Sequence, residues 1–325
     1  MFWLRRPRSV RTAGSGFRVS GSVARSVLVG TPAKLNLFLE ARSKREDGFH
    51  EIASLLVTID LFDTLRICPN QQGTLRLRCN RPELEGNENL VLKAAKALRE
   101  RSGTTLGADM NLTKRIPSEA GLGGGSSDAG AALAGLNEAW DLGMPREELN
   151  EMAGSLGSDV PFFLGSPAAW CTGRGERVEP QRTPREALNF VVVKPSFGVP
   201  TAQAYGRVKV SDRPENGAEL RDAFAAGNTE RIGRGLFNRL LGPAEEIRPG
   251  IAKIRGRLES MGTAGVGMSG SGSTLFALCR DRREALRVAQ EVRADTSPEL
   301  RGCRVFASRG PVRPAVGVFE GSPRQ

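Results

Sequence analysis

The stretch Pro117-Ser118-Glu119-Ala120-Gly121-Leu122-Gly123-Gly124-Gly125-Ser126-Ser127 packs four glycines into five residues, adds two hydroxyls, and runs on into an alanine-rich segment ending at Leu133. Glycine has no Cβ, so its backbone N–H groups can turn inward and approach a ligand closely. A helix that starts directly behind such a loop aims its unpaired N–H groups and the positive end of its dipole at the same point. This is the chemistry of a phosphate cradle; a flexible hinge before an ordinary helix is the plainer use. No Gly-Lys-Ser/Thr follows the glycines, which excludes a Walker loop. A dinucleotide fingerprint is disfavoured because no acidic residue stands at the right remove on a following strand tip.

Three further places carry reactive side chains. Gly157-Ser158-Asp159-Val160-Pro161-Phe162-Phe163-Leu164 sets one carboxylate among small and apolar residues where a helix should end. Asp159 there either caps a turn or is a desolvated, positioned base. On a strand expected over residues 27–40, Leu35, Leu37 and Leu39 share one face, so Lys34 and Asn36 share the other, facing a polar site or solvent. His50 is the only histidine. A metal centre of several histidines is therefore impossible, and a Ser-His-Asp hydrolase would have to be built on His50. It sits in a turn-like tip, Glu46-Asp47-Gly48-Phe49-His50-Glu51, as a surface histidine or as a polar contact to a ligand.

The elements that must position these groups alternate irregularly. Strands are expected over 27–40, 51–61, 63–67, 74–79, 108–114, 168–172, 189–194, 275–279 and 304–308. Asn87 or Asn89 is a candidate N-cap for a helix reaching Arg101. Further helices are expected from the glycine loop to about Trp140, from Pro145 to near Gly157, around Ala204 and Tyr205, and over 217–240, 244–260 and 282–294. A second glycine-rich passage covers 265–274. Without regular βα alternation this order implies two α+β domains. A composition break near 179–187 divides them into 27–184 and 185–310, between a leader at 1–26 and a tail at 311–325.

The 325 residues are 39% hydrophobic and 26% charged, with a net charge of +11. Residues 1–30 hold six arginines and no acid, leaving +5 for the remainder. That mild excess suits phosphorylated small molecules. No basic stripe is interleaved with aromatics, so nucleic acid is not the expected partner. No run reaches the ~18–20 apolar residues of a membrane helix. Five cysteines show no CxxC spacing, which suggests neither zinc nor disulfides and points to a reducing compartment, hence the cytoplasm. The Arg- and Ser-rich leader lacks a secretory apolar segment and reads as a disordered tail, a transit peptide or a misassigned start.

Taken together, 117–133, the opening Thr31-Pro32-Ala33-Lys34-Leu35-Asn36-Leu37 and the passage 265–274 resemble the three motifs of the GHMP kinase superfamily. Within it, the Lys34 segment, Asp47-Gly48-Phe49-His50-Glu51 and the Asp-Val-Pro-Phe-Phe of 159–163 are similar to the family that phosphorylates 4-diphosphocytidyl-2-C-methyl-D-erythritol. Val191-Val192-Val193-Lys194-Pro195 and Thr201-Ala202-Gln203-Ala204-Tyr205 fit it too, so the likeness spans about residues 27–310. It implies a two-domain α+β fold, the N-terminal part like ribosomal protein S5 domain 2 and the C-terminal part ferredoxin-like. It also implies ATP-dependent phosphorylation of that compound's 2-hydroxyl, a step of the non-mevalonate isoprenoid pathway.

Carried over by residue, the resemblance makes Asp159 the base and Lys34 its electrostatic partner. Pro117, Ala120, Gly121, Leu122, Gly123, Gly124, Gly125, Ser126 and Ser127 would hold the triphosphate of ATP, with Ser126 or Ser127 near Mg²⁺. Asn89 would lie close to adenine. Asn36, Thr201 and Gly270 would line the acceptor site, Phe49 and Tyr205 would sandwich the cytosine, and His50 would read its edge. The implied partner is a cytidine diphosphate-linked polyol, bound by a monomer or homodimer. Four positions depart from the family pattern: Phe49 replaces Tyr, Ser158 replaces Ala, Gly130 replaces a helix alanine, and Glu119 replaces Gly, bringing a negative charge near bound phosphates. Another GHMP kinase, of the homoserine or mevalonate type, and a non-catalytic nucleotide- or RNA-binding module are the alternative readings.

Overall fold

Two long antiparallel strands form the spine of the molecule. The computed structural model describes residues 25–319 and two short strands before them, β1 (Arg18–Val19) and β2 (Ser22–Val23). The expected leader 1–26 lies almost wholly outside the described residues, as does the end of the expected tail. The spine is β3 (Ser26–Lys44) with β4 (His50–Asn70). β4 runs unbroken through the two strands expected at 51–61 and 63–67, because Asp63 is buried inside the sheet and does not end it. Register shifts at Pro32/Ala33, Asn36/Phe38 and Ala41/Ser43 bend the pair. Such bulges re-aim side chains, here on either side of Lys34 and Asn36.

The first half continues with β5 (Leu75–Cys79), α1 (Leu90–Ser102), β6 (Gly107–Thr113), α2 (Gly124–Ala139), α3 (Arg146–Leu156), α4 (Val160–Leu164), β7 (Ala168–Gly173) and β8 (Arg177–Pro180). The second half comprises β9 (Leu188–Lys194), α5 (Thr201–Gly206), α6 (Ala218–Ala226), α7 (Thr229–Gly235), β10 (Phe237–Asn238), α8 (Leu241–Ile247), α9 (Gly250–Glu259), β11 (Gly265–Met268), β12 (Leu275–Cys279), α10 (Arg282–Ala294), β13 (Arg304–Gly310) and β14 (Ala315–Phe319).

The large sheet has the order β10-β3-β4-β6-β5, with β14 on β3, β7 on β4 and β8 on β7; the small one is β11-β12-β9-β13. This is the two-part α+β organisation expected. Two details differ. The helices expected over 217–240 and 244–260 each break: Gly227 takes a left-handed φ of +70° after α6, and Pro249 follows the end of α8. Between them Phe237–Asn238 pairs in parallel with Phe38 and Leu39. The stretch expected as a tail contains β14, which pairs with residues 26–30 of β3; five residues after a proline are too short a pattern to read as a strand.

Burial explains the layering. Val27, Leu65, Met110, Leu98 and Leu133 pack β3, β4 and β6 against α1 and α2. Val193, Ile254, Val288 and Val292 form the core under α9 and α10. Between these, Leu35, Leu37, Val57, Phe190, Phe224 and Phe276 make one cluster drawn from both halves. The site below lies along this shared seam.

Candidate active site

α2 begins at Gly124, behind Gly123, which has a left-handed φ of +69° and offers no side-chain cap. Ser127 N–H donates to Gly123 O at 2.9 Å, and the N–H groups ahead of it lack partners within the helix. The loop is glycine for steric reasons as well. A Cβ on Gly121 would fall 2.1 Å from Ser269 O, and one on Gly123 would meet Lys34 Cγ at 2.9 Å. The loop and helix start open onto a cavity of about 370 Å³ lined by Asn89, Pro117 and residues 120–126, among others. Ser127 is not in that wall: its hydroxyl donates to Pro32 O at 2.6 Å and pairs with Thr31 beneath the loop. Of the two serines considered for Mg²⁺, Ser126 alone lines the cavity. Asn89 caps α1, accepting from Val91 N–H at 2.9 Å and donating to Leu84 O at 2.7 Å.

Under the loop lies a charge cluster that sequence reasoning missed. Lys114 Nζ donates to Asp128 Oδ2 at 2.6 Å and to Asp63. Asp63 also accepts the backbone N–H groups of Arg115 and Ile116, fixing the turn into the glycine loop. Asp128 Oδ1 is buried without a hydrogen-bond partner. Burial, helped by Asp63 and opposed by Lys114, pushes Asp128 up to about 8. Burial works against the Lys114 charge too, but the two carboxylates win and hold it above its ordinary value. The available signal was a lone lysine ending a strand just before the loop.

A second corner, the candidate for the chemistry, forms where β3, the first glycine loop and the second meet. Lys34 N–H donates to Leu122 O at 2.9 Å, tying β3 to the loop. Lys34 Nζ lies 3.5 Å from Asp159 Oδ2, with the lysine side chain 4% exposed and the aspartate 33%. Asp159 stands at the start of α4 but makes no capping hydrogen bond, so its carboxylate faces Lys34 and solvent. Asn36 Oδ1 accepts from Lys34 Nζ at 2.6 Å and from Gly270 N–H at 2.8 Å, while Nδ2 donates to Ser54 Oγ at 2.8 Å. Ser269 Oγ donates to Gly121 O at 2.8 Å. Gly270 has a left-handed φ of +58° that favours glycine, and a Cβ there would sit tightly, 3.2 Å from Gly121 Cα and 3.4 Å from Lys34 Nζ. Asn36 is thus largely committed to holding Lys34 and the second loop. Neither Ser54, within an apolar strand, nor Ser269, beside a glycine run, carries a pattern of its own.

At the rim, Arg45 N–H donates to Phe49 O at 2.8 Å and closes the hairpin tip. Phe49 is half exposed, and the Arg174 guanidinium lies 5.1 Å above its ring. The ring that meets Tyr205 is His50, at 5.4 Å between centroids. Burial, with Lys44 nearby, lowers the His50 imidazole below its usual value and favours the neutral form. Burial first, and Asp159 second, raise the Tyr205 hydroxyl. Thr201 opens α5 and its hydroxyl lies 2.8 Å from that of Ser271. Glu119 is exposed on the cavity wall with a left-handed φ of 51°.

Known proteins share this architecture. Residues 89–166 match the family model for the GHMP kinases N terminal domain, and residues 220–297 that for the GHMP kinases C terminal. The 4-diphosphocytidyl-2-C-methyl-D-erythritol kinase of Exiguobacterium sibiricum is 39% identical over 271 residues, 82% of this chain and 94% of that one. The protein of the same name from Pelotomaculum thermopropionicum is 40% identical over 280 residues, 85% of this chain and 97% of that one. A crystal structure of 4-(cytidine 5'-diphospho)-2C-methyl-D-erythritol kinase superposes with a TM-score of 0.73 at 34% identity, over 90% of this chain and all of that one.

Proposed function

The chain belongs to the 4-diphosphocytidyl-2-C-methyl-D-erythritol kinase family of the GHMP kinases, and we propose that it transfers the γ-phosphoryl group of ATP to the 2-hydroxyl of that compound. The reaction is a step in making isoprenoid precursors without mevalonate. The observation that carries the mechanism is the pair Lys34–Asp159, 3.5 Å apart at the meeting of both glycine loops.

Phosphoryl transfer asks a protein mainly for positioning and electrostatic stabilisation. Asp159 takes or orients the acceptor's hydroxyl proton as the new oxygen–phosphorus bond forms and the bond to the β,γ-bridging oxygen breaks. Lys34, locked by Asn36, offsets the charge that develops on the transferring group. The backbone of 121–126 and the N-terminus of α2 hold the triphosphate. A hard divalent ion such as Mg²⁺ binds through phosphate oxygens, waters and few protein ligands. Its chemistry is to neutralise phosphate charge. The cavity wall fits that role, offering the Ser126 hydroxyl, and among the described residues no group of three or more His, Cys, Asp or Glu side chains could cage a metal.

Phe49, Tyr205 and His50 give the acceptor's cytosine two faces to stack on and a neutral imidazole to read its edge. Base–aromatic stacking contributes about 1–3 kcal/mol per base. Thr201, on the helix of Tyr205, and Gly270, beside Lys34, would line the acceptor site from the second half. Five cysteines without a disulfide among the described residues fit a cytoplasmic enzyme, and no described helix is long and apolar enough to cross a membrane. The test is ADP release with a panel of alcohols. Turnover with the diphosphocytidyl compound and none with homoserine or mevalonate supports the reading; the reverse assigns the chain to another GHMP activity.

A further inference from the structure

The turn between β7 and β8 has no role in the chemistry above, yet it spans the acceptor side of the site. At one end Gly173 N–H donates to Glu51 Oε1 at 3.0 Å, fastening the turn to the hairpin that carries Phe49. At the other, the Cβ position of Gly175 lies 3.7 Å from Asp159 Oδ1 and 3.6 Å from Ser158 Cβ. Arg174 stands between these anchors. Its backbone N–H donates to Glu176 Oε2 at 2.6 Å, which sets the turn. Its guanidinium covers Phe49, and its one ion pair among the described residues is a loose 4.0 Å contact to Glu176. The neighbouring acid Asp47 is already held by Arg45 at 3.0 Å. A half-buried guanidinium with so little charge pairing retains donors for a ligand.

An acceptor with its base on Phe49 and its alcohol at Asp159 must carry its diphosphate across this turn. We propose that Arg174 binds the diphosphate of the acceptor and so selects a nucleoside diphosphate over an uncharged nucleoside. The assignment rests on the acceptor class proposed above. The guanidinium also lies over the Phe49 ring, but the contact proposed here is the charge-assisted one to the diphosphate.

The test compares cytidine and cytidine 5'-diphosphate as competitive inhibitors against the acceptor, in the wild type, Arg174→Met and Arg174→Lys. A charge-assisted contact that is partly exposed should be worth about three- to tenfold in affinity. Arg174→Met is expected to weaken the diphosphate by that factor, leave cytidine within about twofold and leave the KM for ATP unchanged; Arg174→Lys is expected to restore part of the loss. Equal weakening of both inhibitors overturns the proposal by reducing Arg174 to a support for Phe49. An unchanged diphosphate constant in a wild-type enzyme that turns over also overturns it. A wild type that binds neither inhibitor removes the acceptor class itself, and this assignment with it.

Discussion

Lys34 Nζ lies 3.5 Å from Asp159 Oδ2 but only 2.6 Å from Asn36 Oδ1. The lysine is therefore anchored by a neutral amide and approaches the carboxylate without closing a tight ion pair on it. The same amide oxygen accepts Gly270 N–H at 2.8 Å, so Lys34 and the second glycine loop share one acceptor beside Asp159. Under the proposed mechanism Asn36 is a positioning residue. Its loss is expected to lower the rate through Lys34 more than through acceptor affinity.

The glycine loop offers a paired stability test. Gly121→Ala must place a methyl 2.1 Å from Ser269 O at a φ of +72°. Separation of the two loops should cost about 3 kcal/mol or more, read as a lowered urea midpoint. Gly125→Ala meets nothing nearer than Leu90 Cδ1 at 3.8 Å. In the first turn of α2 it should be neutral or stabilise by up to about 1 kcal/mol. If the two variants unfold alike, the close approach of the loops is wrong.

The cluster beneath the loop should make stability depend on pH. Burial, then Asp63, lift Asp128 to about 8 against the pull of Lys114, whereas the unfolded chain titrates near 3.9. Between those values the folded protein binds a proton that the unfolded chain does not. That contribution is complete below about pH 4 and is lost as pH rises through about 8. Unfolding free energy should fall by about 3 kcal/mol from pH 6 to pH 9, and Asp128→Asn should flatten the slope. A wild-type profile as flat as the variant's would show that Asp128 is ionised throughout.

Glu40 and Arg239 join the halves. Arg239 Nε and Nη2 reach the two carboxylate oxygens of Glu40 at 2.7 Å each, and the carboxylate is fully buried. Burial alone would raise Glu40, but Arg239 and the N–H of Glu215 hold it below the ordinary range. Arg239→Met strands that charge and should cost about 3 kcal/mol, while Glu40→Met with Arg239→Met should recover most of it. A double-mutant cycle showing no coupling would contradict this.

Some of the architecture was legible because its causes are local. Alternation over 27–40 placed Lys34 and Asn36 on one face, Asn89 met the cap expected of it, and Pro145 opened α3. What escaped depends on partners far along the chain. Asp63 looked like a strand break because its partners, Lys114 and the start of the glycine loop, lie some fifty residues on. β10 is only two residues long and exists through pairing with β3. The aromatic arrangement was legible in composition but not in geometry: Phe49, His50 and Tyr205 are all at the rim, yet Tyr205 meets His50 while Phe49 meets Arg174. Ring contacts follow from how the 44–50 tip folds back, which no periodicity encodes.

The most direct measurement of the central claim is the single-turnover rate of phosphoryl transfer in Asp159→Asn and Lys34→Ala, with thermal melting and ATP and acceptor binding measured on the same samples. Positioned general-base and electrostatic groups each contribute about 10²–10⁴-fold. Both variants are expected to fold, to bind both ligands within about tenfold of wild type, and to lose rate in that range. Near-normal transfer in either variant would contradict the account, because the pair would then be structural and the reactive corner would lie elsewhere.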